Sequence, residues 1–165
     1  MNITTGYFDG VDIPIMEDLS ETGKGPDAAL ASFQKLTQED RMADSHHVYA
    51  YYRDFHQAVG GEDWLDEEMG IPAIPEDIWK YVKAGSISVE KGRDADTDYY
   101  VVMVAKCDWE EEHGLMLVWR NGTQLTKVGG FDGHISNVNA YANAKLADVV
   151  YSATNPQYTT YLKQP

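Results

Sequence analysis

Nine residues set the terms for how this chain folds. Tyr99–Cys107, YYVVMVAKC, is almost continuously apolar and rich in β-branched residues. That is the composition of a central strand covered on both faces. Leu115–Trp119 is a second apolar run, and Arg120-Asn121-Gly122 after it is a hairpin turn of the Asn-Gly type leading into residues 123–128. Upstream, Ile87 and Val89 alternate with polar residues over 86–91. The expectation is an antiparallel meander of four strands at 86–91, 99–107, 115–119 and 123–128.

The rest of the chain is read against that sheet. Residues 2–16 form a hairpin about Asp9-Gly10, with Pro14 marking an edge, and this hairpin extends the sheet. Pro26 and Asp27 open a helix, and Thr37 with Asp40 forms a capping arrangement. Val48, Tyr52, Phe55 and Val59 make an apolar stripe at spacings of four, three and four, ended by Gly60-Gly61. Short helices are expected over 76–82 and 138–147, and a polar tail over 148–165. The fold class is therefore α+β. An antiparallel sheet of four to six strands combines the N-terminal hairpin with the C-terminal meander, and the helices of residues 26–59 pack on one face. A chain of 165 residues fits one domain over 1–165.

Charge narrows the partners. The formal net charge is −14, and residues 1–85 hold 17 acids against 6 bases, so −11 of it lies in the first half. Such a field repels nucleic acid and anionic membrane surfaces and attracts basic protein. The lone cysteine, Cys107, cannot close an internal disulfide. No signal-peptide pattern and no run of membrane-spanning length is read, so the expectation is a cytoplasmic protein that binds neither membrane nor nucleic acid.

Chemistry-bearing residues gather after the central strand. Asp108, Trp109, Glu110, Glu111, Glu112 and His113 lie in one strand connection, and Asp132-Gly133-His134 follows the next hairpin. In a meander both connections fall at the same end of the sheet. Glu112, His113, Asp132 and His134 would suffice for zinc or manganese, or for general acid–base work. Against that, the spacing matches no known metal motif. The same residues serve as a structural corner if the aspartates cap turns, Gly114 and Gly133 take positive φ, and Trp109 packs the sheet end. Asp94, Asp96 and Asp98 open like a calcium loop, but Tyr99 and Ala105 stand where that loop needs Gly and Glu. No Walker loop, nucleophile elbow, dinucleotide fingerprint or paired-cysteine motif is found, and no cofactor is expected.

The string CDWEEEHGLMLVWRNG, followed by KVGGFDGH, resembles an uncharacterised family of bacterial domains. Its marks are Cys-Asp-Trp at a strand end, Glu-His-Gly-Leu, a hairpin, and Asp-Gly-His. Here they fall on Cys107 to Trp109, Glu112 to Leu115, and Asp132 to His134. The resemblance implies a group without an established activity, in which immunity and accessory binding roles are suspected. The leading expectation is a non-enzymatic domain that binds a basic protein, as a toxin-neutralising immunity protein does, with Trp109, Glu112, His113, Asp132 and His134 as candidate binding residues. The alternative is a metal-binding protein or metal-dependent enzyme using Glu112, His113, Asp132 and His134.

Overall fold

The computed structural model describes residues 1–162. Four strands form an antiparallel sheet in the order β3 (Val82–Lys91), β4 (Tyr99–Cys107), β5 (Leu115–Arg120) and β6 (Gln124–Gly129). This is the expected meander, with β3 entering four residues earlier than alternation alone suggested. The extra length comes from a bulge between Lys83 and Ser86, after which the register with β4 continues to Lys91↔Tyr99. Asn121 and Gly122 take φ of 51° and 72°, the left-handed pair that an Asn-Gly hairpin uses. A Cβ at Gly122 would lie 2.0 Å from the carbonyl oxygen of Ala29, so the hairpin tip sits against the first helix only because glycine is there.

β1 (Asn2–Ile3) and β2 (Ile13–Pro14) form a separate two-stranded sheet. The expected long hairpin is shortened because a 3-10 turn, Gly6–Phe8, buries Tyr7 and Phe8 instead of extending them. Beyond β2 the chain joins the large sheet by a parallel bridge, Ile15↔Ile87, and its strap over β3 continues with Met16 N donating to Ile87 O and Glu21 N to Val89 O, both at 2.8 Å. This strap covers the outer edge of β3.

The helices α1 (Lys24–Gln34) and α2 (Gln38–Ala58) cover one face of the sheet. The capping box at Thr37 is formed: Asp40 N donates to Thr37 Oγ1 and Thr37 N to the Asp40 carboxylate. One apolar cluster binds these elements together. Trp119 is fully buried among Tyr7, Phe8 and Phe33, with ring centroids at 5.3, 6.3 and 5.0 Å. Burial of apolar surface of this kind is the dominant favourable term in folding.

The buried face of α2 is wider and more polar than the apolar stripe. Val48 and Tyr52 are buried, but Val59 is exposed, and Arg41, Ser45, Asp54 and His56 are buried. Each of these polar groups has a distant partner. Arg41 pairs with Asp9 at 2.9 Å, Ser45 accepts the Trp79 indole N–H, and His56 contacts Asp66 at 2.8 Å. Asp54 accepts from Tyr151 Oη and from the backbone N–H of Thr154 and Asn155. Those last bonds fix the C-terminal segment. Residues 148–162 are packed where the sequence suggests a polar tail: Val149, Val150 and Tyr151 are buried, and Val128 N donates to Val150 O at 2.9 Å. The end of that expected tail, 163–165, lies outside the described residues. The helix expected over 138–147 is a short α3 (Asn137–Tyr141) and a 3-10 turn, Ala144–Leu146.

Candidate functional site

The connection between β4 and β5 is organised by a residue that stood in the background of the sequence, Glu110. Its carboxylate accepts from Glu112 N at 2.9 Å and from His113 N at 3.0 Å, and it meets His113 Nδ1 at 3.0 Å. Its own carbonyl accepts from Gly114 N and from Cys107 Sγ. Gly114, at φ 69°, then turns the chain into β5, and a Cβ there would lie 2.6 Å from Ala105 O. The side chain of Glu110 is nearly buried, while that of His113 is mostly exposed.

Trp109 is buried behind this corner, at 5.6 Å from Tyr51 and 5.8 Å from Tyr52 between ring centroids. It faces the core and not solvent, so a partner meets it only through the groups around it. Tyr51 Oη donates to Gly114 O at 3.2 Å, which ties the corner to α2. Cys107 is buried as well, and burial pushes its thiol up to about 12. A thiol so disposed stays protonated at neutral pH and is no nucleophile.

The second connection has its own centre. Lys127, fully buried on β6, donates to Asp132 Oδ1 at 2.5 Å and to His134 O at 2.6 Å. Asp132 Oδ1 also accepts from His134 N. Burial draws the Lys127 ammonium below its ordinary pKa, and Asp132 works against that shift. The backbone joins the two connections once, where Phe131 N donates to His113 O at 3.4 Å.

The four residues expected to converge therefore divide into two sets. Among the described residues, the group whose ligand atoms lie within 4.8 Å of one another is Glu110, Glu112 and His113. Asp132 and His134 are not in it: Asp132 is engaged with Lys127, and His134 Nδ1 is buried without a hydrogen-bond partner among the described residues. The sequence reading missed Glu110 and Lys127. Glu110 had a signal in its place three residues before His113, within reach of the same turn. Lys127 had none, because a lysine in a strand ordinarily points to water.

Beside the corner lies a recess of about 450 Å³, lined by Lys83, Lys106, Asp108, Glu111, Glu112 and His113 among others. Lys83 and Lys106 stand directly opposite each other in the β3–β4 register.

Fold and corner together define an α+β domain whose four-stranded meander is helix-covered on one face and tied at one end by two short hydrogen-bonded connections. The model of a family described as a domain of unknown function (DUF6985) matches residues 2–135, and the chain belongs to that family. No curated protein and no solved structure matches the chain. The family match ends at Ile135, so the segment that packs on Asp54 lies outside it. No helix among the described residues is long and apolar enough to cross a membrane.

Proposed function

We propose that this domain is a non-enzymatic binding module for a basic protein, working in the bacterial cytoplasm as an immunity protein works on its toxin. The observation that carries the reading is the segment 62–77, which holds seven acids and no base. Two of those acids serve the fold: Asp66 contacts His56 and Asp77 pairs with Lys80. The other five, Glu62, Asp63, Glu67, Glu68 and Glu76, are exposed. Trp64, Ile71 and Ile74 are exposed among them. Large apolar groups set among unneutralised acids favour a partner that is basic and has apolar side chains of its own. The test is capture on the immobilised chain at low and at high salt. A basic protein should be retained at low salt and released at high salt, and Glu62→Lys/Glu67→Lys/Glu68→Lys should abolish retention. Equal retention by that variant overturns the reading.

A second reading has its own support. Glu110, Glu112 and His113 each offer a ligand atom within 4.8 Å of the others, a donor set that suits zinc or manganese. Calorimetric titration with each metal, with His113→Ala as control, tests it. Heat of binding that His113→Ala removes supports the metal site, and its absence sinks it.

A further inference from the structure

The β3–β6 sheet has a second face, turned away from the helices. The register places Glu90, Tyr100 and Arg120 in one row there, Ser88, Val102 and Val118 in the next, and Ser86, Val104 and Met116 in a third. Two walls rise from this floor. One is the strap of residues 16–21, bonded along β3 through Met16 N, Glu21 N and the Ser20 hydroxyl, which accepts from Val89 N. The other is the turn of Phe131 to Gly133, fixed by the Asp132–Lys127 pair. Between them runs a groove of about 280 Å³ lined by Met16, Leu19, Val102, Val104, Met116 and Phe131 among others.

The walls and floor expose what a free-standing domain would cover. Met16 is 44% exposed, Leu19 66%, Val104 39% and Phe131 46%. Single exposed apolar residues are ordinary, but four around one groove mark a contact surface. Met16 adds a flexible side chain that adapts to an incoming surface. Pairing with an added strand is not available at the β3 edge, because the strap already uses it.

Charge says what the occupant is. The strap carries Glu17, Asp18 and Glu21 and no base between 16 and 21. Glu90 lines the groove itself. Burial raises its carboxyl, while Arg93 pulls the other way. Arg120, in the same row, is taken up by Asp98. At the opposite end, beyond Val104, the face ends in the opposed lysines Lys83 and Lys106. Asp108, Glu111 and Glu112 offset those lysines, whereas Glu90 is the acid that lines the groove itself, so a cationic side chain is favoured at the Glu90 end.

We propose that this outer face is a docking groove for an extended peptide segment of a basic protein, its apolar side chains against Met16, Leu19, Val104 and Phe131 and its cationic side chain at Glu90. The proposal rests on the reading of the domain as a binder of basic protein and adds a contact surface beside that of residues 62–77. From Ser86 to Glu90 the floor runs about 13 Å, room for four or five extended residues.

Selection of random dodecapeptides on the full chain, with the chosen peptides labelled and measured by fluorescence anisotropy, tests this. Apolar peptides with Arg or Lys toward one end are expected. Leu19→Asp and Phe131→Asp should each weaken them about tenfold, Glu90→Lys should weaken them as much and turn the selection toward acidic peptides, and Lys83→Glu/Lys106→Glu should not weaken them. All of these positions but Glu90 are exposed, and an unchanged melting temperature separates lost contact from lost fold. If basic peptides are selected but respond only to Glu67→Lys/Glu68→Lys, the groove is wrong and the reading of a basic partner stands. If no basic peptide is selected at all, both are wrong.

Discussion

The two faces of β4 differ in what covers them. Toward the helices it presents Val101, Met103, Ala105 and Cys107, all buried. Away from them it presents Tyr100 and Val102, which are buried, then Val104 and Lys106, which are exposed. The helix-side face is closed by an aromatic cluster around Trp119. The outer face is closed only by a small cluster of Tyr100, Val102, Met116, Val118 and Ile135, with an open groove beside it. The lesson is that an unbroken apolar run need not mean equal burial. One side of this strand holds the fold, and the other side ends in exposed Val104 and Lys106.

Substitutions should separate the two roles, beginning with the largest effect. Trp119→Ala empties the centre of the helix-side core and should cost about 3–5 kcal/mol in denaturant unfolding. Asp132→Ala, on the outer side, should cost about 2 kcal/mol, because it leaves the buried Lys127 ammonium with one carbonyl partner. Lys127→Met/Asp132→Asn should recover part of that loss, since no charge is then stranded.

Alkaline pH probes the helix-side face from another direction. Burial raises the Tyr51 and Tyr151 hydroxyls well above their ordinary value, and desolvation with Asp44 nearby does the same to Tyr7. The unfolded chain ionises these groups near pH 10, where the folded chain cannot. Their contribution is therefore complete below about pH 10 and is lost as pH rises beyond it. A pH series of unfolding midpoints should fall above that point, and Tyr51→Phe/Tyr151→Phe should flatten the fall. At neutral pH, Tyr151→Phe alone should cost about 1 kcal/mol, because Asp54 keeps two backbone donors. Smallest of all, Phe131→Ser should change stability by no more than about 0.5 kcal/mol. A loss near that of Trp119→Ala would show that the groove wall belongs to the core after all.

Much of this was legible in the sequence where a local signal decided the outcome. Tyr99–Cys107 reads as a strand, and Asn121-Gly122 as the hairpin turn between the two strands after it. Thr37 and Asp40 marked a new helix or a bend, and α2 starts there. Reading failed where a partner far along the chain decided instead. Arg41, Asp54 and His56 are buried only because Asp9, the 151–155 segment and Asp66 satisfy them, and no local signal names those partners. Tyr7 and Phe8 read as strand residues, yet the core draws them into a 3-10 turn. At the candidate site, the sequence brought forward His113 and Glu112 but not Glu110, whose part is to accept the backbone donors of the turn. It could not show that Asp132 is engaged with a lysine, because the burial of Lys127 is a product of the whole sheet.

The most direct test is a nuclear magnetic resonance titration of the full chain with a selected basic peptide. The account predicts shifts concentrated at Met16 to Glu21, Glu90, Val104 and Phe131, with Trp119 and Trp109 unmoved. Shifts confined to Glu110 through His113, or no saturable shift with any basic peptide, would contradict it.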